Sequence, residues 1–313
     1  MDTNILVTLP MTDADRRRLT ERAVNCRVRT STPPGATAED LGWADCVLGN
    51  LKPPAVLERY PNIRWIHTPN VGLDAYAPLA ESRPDLKITN IRGIADHPVS
   101  DHVLALLLTL ARALPRVLHT AGNPCNWGAR EDYGPHCMTL AGKNVHVLGY
   151  GSIARCLVRK LAGFDGAVTV YRRRGEGNDP HVARFRALGE LTSEVREADV
   201  LINLLPSLPE TRCLVGAPVF AAMRADALFI NAGRGSTVDE PALIDVLKNG
   251  RLCGAALDVF TEEPLPEDSP LWSLPNVILT PHVAGRFDGE MRAHIDFFFD
   301  SLERVASADA TTP

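Results

Sequence analysis

The segment Val145-His-Val-Leu148, followed at once by Gly149-Tyr-Gly-Ser-Ile-Ala154, constrains the fold of this chain more than any other stretch. It reads as an apolar strand running into a G-x-G-x-x-A turn, with a helical pattern continuing to Leu161. In that context Gly149 permits the tight turn, Gly151 lets the backbone approach a pyrophosphate, and the small Ala154 lets the helix pack closely on the strand. The turn residues Tyr150, Ser152 and Ile153 complete a phosphate-facing stretch at the helix N-terminus. A glycine-rich turn that binds nothing is the bland alternative. Strand, turn, helix and a second strand, Ala167 to Tyr171, all fall in order, so a bound dinucleotide is expected.

The same rhythm runs through the whole chain. Short apolar runs at Asn4 to Leu9, Arg27 to Ser31, Asp45 to Leu48 and Ile63 to Thr68 alternate with helical stretches such as Asp13 to Val24. After Asn144 it restarts, with strands at Val200 to Leu205, Ala227 to Asn231, Cys253 to Val259 and Val277 to Leu279. Alternation of this kind implies parallel strands joined by helical crossovers, and near-continuous apolar strands imply burial on both faces. The expected fold class is α/β: two Rossmann-like domains, one a doubly wound dinucleotide domain and the other a smaller flavodoxin-like substrate domain.

At 313 residues the chain holds about two domains on a prior of roughly 150 residues each. A long apolar helix from Val99 to His119 and a Gly/Pro-punctuated loop, Gly122 to Gly134, mark the crossing. The expected division is residues 1–98 for the smaller domain, with the helical stretch in 287–313 returning to it, and residues 99–286 for the dinucleotide domain. The apolar helix also suggests a homodimer, since it is too apolar for an exposed connector.

Composition removes several classes. Hydrophobic residues at 45% and charged residues at 23% are near globular averages. Lys plus Arg number 33 against 38 Asp plus Glu, a net charge of −5, so no global field favours nucleic acid. The seven cysteines are scattered and never in C-x-x-C spacing, which suggests neither a disulfide framework nor a metal site. No basic segment followed by a long apolar run opens the chain, and no run is long enough to span a bilayer. A cytoplasmic protein without membrane contact is expected.

The second strand of an NAD site ends in an acidic residue that takes the ribose hydroxyls. Here Arg172-Arg173-Arg174 stands in that place, and Glu176 and Asp179 follow too late, beyond Gly175. Guanidinium groups suit a 2′-phosphate through charge-assisted hydrogen bonds, so NADP(H) is the preferred cofactor and NAD(H) the alternative. A solvated basic loop would be the plain structural reading.

Five further segments occur in order: Leu204-Leu-Pro-Ser-Leu-Pro-Glu-Thr211, Ile230-Asn-Ala-Gly-Arg-Gly235, Gly254-Ala-Ala-Leu-Asp-Val-Phe260, Glu263-Pro-Leu-Pro266 and Leu279-Thr-Pro-His-Val-Ala-Gly285. With the fingerprint they closely resemble the D-isomer-specific 2-hydroxyacid dehydrogenase family, densely from about Lys143 to Gly285. The resemblance is weaker in the first hundred residues, where Ile63 to Asp74 is similar to the family's substrate loop.

The resemblance implies hydride transfer from a reduced nicotinamide to the carbonyl carbon of a 2-oxo acid, with Arg234, Glu263 and His282 completing the site. Negative charge building on the carbonyl oxygen needs a proton donor and a fixed positive charge. His282 would be the donor, Glu263 would orient its imidazole and favour the protonated form, and Arg234 would clamp carboxylate and carbonyl oxygen. Asp258 would receive the nicotinamide carboxamide with the Ala232 backbone nearby, and Pro206 would sit against the adenine. The amides of Asn70, Val71 and Gly72 would hold the substrate carboxylate, placing the active site in a cleft between the domains. No metal is implied. The remaining histidines, His97, His102 and His146 among them, read as structural.

Neighbouring activities fit less well. Formate dehydrogenases pair the histidine with Gln where this chain has Glu263, and phosphite dehydrogenases carry Lys near the place of Val71. A dinucleotide-sensing corepressor of the same fold is the reading from a different class, and turnover of a simple 2-oxo acid separates it. Which 2-oxo acid is reduced is not written in the sequence.

Overall fold

The computed structural model describes residues 3–31, 35–91, 93–119 and 133–309. Two compact units emerge, one of Met1–Ile94 with Phe287–Pro313 and one of Ala95–Arg286. The division falls just ahead of the helix Asp96–Ala111, so that helix belongs whole to the second unit.

The first unit carries a parallel sheet of five strands in the order β2-β1-β3-β4-β5: β1 (Thr3–Val7), β2 (Cys26–Thr30), β3 (Cys46–Leu48), β4 (Trp65–Thr68) and β5 (Lys87–Asn90). That order is the flavodoxin-like one expected. Because strand side chains alternate, each strand feeds two cores. Leu6, Val47 and Ile66 pack on one face with Leu57, Tyr76 and Leu79. Ile5, Val7, Cys46, Leu48 and Trp65 pack on the other, where Ile295, Phe298 and Phe299 of the helix Glu290–Asp309 cover them. Trp65 stacks on Phe298 at 4.7 Å, and Arg18 and Arg22 of the helix Asp13–Arg22 reach Asp296 and Asp300 at 2.7 Å each. The returning helix is thus held by apolar burial and an ion-pair seam.

The second unit holds seven parallel strands in the order β12-β11-β10-β9-β6-β7-β8. They are β6 (Asn144–Leu148), β7 (Ala167–Arg172), β8 (Arg184–Ala187), β9 (Val200–Asn203), β10 (Leu228–Asn231), β11 (Gly254–Leu257) and β12 (Val277–Leu279). The chain steps outward from β6 to β8, then returns to the far side of β6 as β9. The reversal between β6 and β9 is the switch point at which open α/β sheets bind ligands, beyond the carboxyl ends of the strands.

One expectation needs correction. The long helix does not run from Val99 to His119; it spans Asp96–Ala111, and a second helix, Leu114–His119, follows after Ala113 at φ 52°. Pro115 lacks the N–H that would continue the ladder, and its ring would meet the carbonyl of Ala111. That carbonyl turns to the Met138 N–H at 2.6 Å instead. The apolar residues Val103, Leu106, Leu107 and Leu110 are buried within this unit, so the helix's apolarity by itself calls for no second chain. The loop Gly122 to Gly134 lies outside the described residues but for its end at 133–134, as does Cys125.

Two buried imidazoles have depressed pKa values near 4, His67 through burial and then His294, and His146 through burial and then Arg184. His67 Nδ1 meets Thr89 Oγ1 at 2.9 Å, and His146 Nδ1 meets the Tyr171 hydroxyl at 3.1 Å. Both are neutral in the fold, whereas the unfolded chain protonates them below about pH 6.5. The unfolded state therefore binds more protons in that window. Stability is full above pH 6.5 and falls as pH drops towards 4, by up to about 3 kcal/mol per group. Denaturation midpoints across this range should show the slope, and His67→Asn, which keeps a polar atom near Thr89, should flatten part of it. An unchanged slope would mean that His67 does not titrate as described.

Candidate active site

All seven strands of the second sheet are parallel, so their carboxyl ends share one edge, and there the segments singled out in the sequence arrive together. Beyond β6 comes the fingerprint. Gly149 has φ +92° and donates its N–H to Tyr171 O at 2.8 Å. A Cβ there would meet Leu204 O at 3.0 Å, so the left-handed φ and the tight approach to the end of β9 both favour glycine. Gly151 caps the helix Ser152–Leu161, with nothing within 4 Å of where its Cβ would stand. Ala154 is buried and Ile153 half-buried. This open, donor-rich helix start fits a dinucleotide pyrophosphate. Ser152 spends its hydroxyl on Asp96 Oδ1 at 2.8 Å, so its contribution to phosphate is confined to the backbone.

Tyr150 lies edge-on to Phe185 at 5.1 Å, and its hydroxyl donates to Asp179 Oδ2 at 2.5 Å. Burial first, then this carboxylate, pushes the phenol up to about 12, and the phenol in turn holds Asp179 below the usual carboxylate value. The sequence places Asp179 too late in the chain to stand for the ribose-binding acid, and in the fold the loop after β7 brings its carboxylate to the Tyr150 hydroxyl.

The arginines at the end of β7 diverge. Arg172 bonds Glu176 O at 2.7 Å, Arg174 is exposed, and Arg173 pairs with Glu210 at 2.7 Å while remaining 75% exposed. Pro206, beyond β9, is exposed, and its carbonyl accepts from Thr211 Oγ1 at 2.7 Å.

Beyond β10, Ala232 N–H bonds Asn203 O at 3.1 Å and Arg234 follows, half-buried. A Cβ on Gly235 would fall 1.9 Å from the Phe260 carbonyl carbon and oxygen, so glycine alone permits the Arg234 loop to press against the segment leaving β11. Beneath it a buried amide network holds the loop: Asn203 Nδ2 donates to Asn231 Oδ1 at 2.9 Å and to Thr237 Oγ1 at 2.7 Å, and Thr237 Oγ1 donates to Arg234 O at 2.6 Å.

Glu263 joins the segments. Its Oε1 accepts the Phe260 N–H at 3.0 Å and its Oε2 lies 2.8 Å from His282 Nδ1, so a backbone amide aims the carboxylate at the imidazole. Asp258, at the end of β11, is 1% exposed. Burial would raise its pKa, but hydrogen bonds from His102, Thr280, Val283 and Ala284 outweigh this and hold the carboxyl below its ordinary value. Among the described residues no group of three or more metal-ligating side chains gathers. Likewise, no helix there is long and apolar enough to cross a membrane.

In the first unit, the loop after β4 carries Asn70, Val71 and Gly72. The Asn70 N–H bonds Thr68 Oγ1 at 3.2 Å, Val71 O accepts from Asn90 Nδ2, and Asn50 Oδ1 collects Thr68 Oγ1 at 2.6 Å and the Tyr76 hydroxyl at 3.2 Å. The Asn70 amide is therefore already engaged in its own loop.

The profile of the D-isomer specific 2-hydroxyacid dehydrogenase NAD binding domain matches residues 104–284. The chain belongs to this family. Glyoxylate/hydroxypyruvate reductase B of Salmonella agona is 35% identical over 269 residues, covering 83% of this chain and 81% of that one. The Citrobacter koseri protein of the same name is 34% identical, covering 88% and 87%. A D-isomer specific 2-hydroxyacid dehydrogenase from Xanthobacter autotrophicus Py2, solved with NADPH and MES, superposes with a TM-score of 0.81 at 27% identity, over 98% of this chain and 96% of that one. An NADPH-dependent glyoxylate/hydroxypyruvate reductase from Sinorhizobium meliloti, solved with NADP and malonate, gives 0.79 at 28%, over 97% and 93%. This dehydrogenase accordingly moves hydride between a nicotinamide cofactor and the C2 carbon of a 2-oxo or 2-hydroxy acid.

Several supporting residues were missed in the sequence reading. Asn203, Asn231 and Thr237 are ordinary polar residues until the strand ends meet. His102 was set among the structural histidines, yet its Nε2 lies 3.1 Å from Thr280 Oγ1 and 3.5 Å from Asp258 Oδ1.

Proposed function

We propose that this dehydrogenase is an NADPH-preferring reductase of small 2-oxo acids, glyoxylate and hydroxypyruvate being the first to test, with His282 as proton donor. The observation that carries the reading is the His282 Nδ1–Glu263 Oε2 contact at 2.8 Å, set by the Phe260 amide on the other carboxylate oxygen. A bound nicotinamide would supply the hydride. With Nδ1 committed to the carboxylate, Nε2 carries a proton only in the imidazolium form, and that proton goes to the carbonyl oxygen as charge builds there. Arg234 holds the substrate carboxylate and carbonyl oxygen. Gly149, Tyr150, Gly151, Ser152 and Ile153 take the pyrophosphate, Pro206 the adenine, and Ala232 with Asp258 the carboxamide. The homodimer and cytoplasmic setting expected from the sequence stay part of this proposal, and sedimentation decides the first.

The NADPH preference rests on Arg173, supported by the two solved relatives whose structures hold NADPH or NADP. Glu210 pairs with Arg173 and so competes with a 2′-phosphate for it. Arg173→Asp should lower kcat/KM with NADPH by roughly tenfold or more relative to NADH, the equivalent of one charge-assisted hydrogen bond. Glu210→Gln should shift the ratio the opposite way. Equal efficiency with both cofactors in the parent enzyme would remove the assignment.

A further inference from the structure

We propose that His102 is a positioning residue for proton transfer, acting through Thr280 and Asp258 on the turn that carries His282. The inference rests on the reading of His282 as proton donor.

The turn leaves β12 as Thr280-Pro281-His282-Val283-Ala284, and Asp258 gathers it from the neighbouring strand end. The carboxylate accepts Thr280 Oγ1 at 2.7 Å and the Val283 N–H at 2.9 Å on Oδ1, and the Ala284 N–H at 3.0 Å on Oδ2. Its backbone carbonyl accepts the His282 N–H at 2.9 Å. Four donors from five consecutive residues therefore converge on one buried aspartate.

The convergence has a purpose that backbone geometry makes visible. His282 sits at φ +53°, in the left-handed region that a residue with a Cβ rarely adopts unless its surroundings impose it. Here the bonds to Asp258 impose it. They turn the imidazole so that Nδ1 faces Glu263 at 2.8 Å.

His102 completes the arrangement from the helix Asp96–Ala111. Since the Thr280 hydroxyl gives its one proton to Asp258, it can only accept from His102, whose Nε2 lies 3.1 Å away. That contact fixes the His102 tautomer and the Thr280 rotamer together. Without it the hydroxyl is free to rotate away, and Asp258 loses its shortest bond to the turn. Among the described residues Ala284 is the one donor found at hydrogen-bond distance of Oδ2, so the carboxylate keeps capacity for a carboxamide. Cofactor contact and the His282 turn then meet on one residue.

The test pairs disruptive and conservative variants in the full-length protein: His102→Leu against His102→Gln, and Thr280→Val against Thr280→Ser. Misplacement of the imidazole should lower kcat for 2-oxo acid reduction by about tenfold to a hundredfold in the Leu and Val variants. NADPH affinity by fluorescence titration should stay nearly unchanged, amide hydrogen exchange at Val283 and Ala284 should quicken, and the Gln and Ser variants should recover most of the rate. Native kcat in His102→Leu and Thr280→Val would overturn the proposal, as would a loss confined to NADPH affinity or one that the conservative variants share equally. His282→Ala run in parallel separates the two readings. If it keeps its rate, the proton-donor assignment fails and this proposal with it; if it loses its rate while His102→Leu does not, only the positioning role is wrong.

Discussion

His282→Ala should lower the rate of 2-oxo acid reduction by about two to four orders of magnitude, the range general acid catalysis contributes, and leave NADPH titration close to that of the parent. The fingerprint that would hold the pyrophosphate lies beyond β6, and the imidazole follows β12, so removing the ring disturbs proton delivery without touching the phosphate-facing turn. Glu263→Gln should act more gently. It keeps a partner for Nδ1 and the acceptor for the Phe260 amide but removes the negative charge beside the imidazolium. Reduction needs the imidazolium, so its rate falls as pH rises, and without the carboxylate beside the ring kcat should fall as well. The His282 and Glu263 side chains are 50% and 36% exposed, which limits the attraction to about that of a surface pair, so the loss should stay below about tenfold. Oxidation of the 2-hydroxy acid needs neutral imidazole and should show the opposite limb. A near-native rate in the Ala variant would send the search for the donor elsewhere.

The fold was legible wherever a strand is buried on both faces. β6, β9, β10 and β11 are near-continuous apolar runs, and their alternation with helical stretches implied a doubly wound sheet. β5 and β8 were not read as strands, and both are sheet edges. Lys87-Ile-Thr-Asn90 and Arg184-Phe-Arg-Ala187 each have one partner strand and carry polar side chains, which leaves little periodic signal. The candidate site was legible through glycines and motif order: Arg234 is conspicuous because Gly233 and Gly235 flank it, and Glu263 and His282 because of the segments around them. The residues that hold those side chains in place were not. Asn203 meets Thr237, and His102 meets Thr280, only because distant strand and helix ends converge, and a lone Asn or His carries no mark of such a partner. The Tyr150–Asp179 pair was hidden for a related reason, since distance along the chain does not reveal a loop that doubles back.

Arg234 gives the second large effect, and the choice of substitution decides what it tells. Arg234→Gln removes the fixed positive charge proposed to meet the carbonyl oxygen as hydride arrives, and should lower kcat/KM for 2-oxo acid reduction by about a hundredfold to a thousandfold. Arg234→Lys keeps the charge but loses the planar fork that grips two oxygens at once, so it should recover only a small part of that loss. Movement of the backbone cannot compensate. The Arg234 carbonyl is tied to Thr237 Oγ1 at 2.6 Å, Nη1 of its guanidinium bonds Gly233 O at 2.7 Å, and Gly235 lies against Phe260 with no room for a Cβ. A loss shared between kcat and KM is expected, because the guanidinium would hold the ground-state carboxylate as well as the developing oxyanion. Full recovery in the Lys variant would show that charge alone suffices and that the two-oxygen grip is wrong. A near-native Gln variant would place Arg234 outside the reacting centre altogether, leaving its flanking glycines to be explained by packing against Phe260 alone.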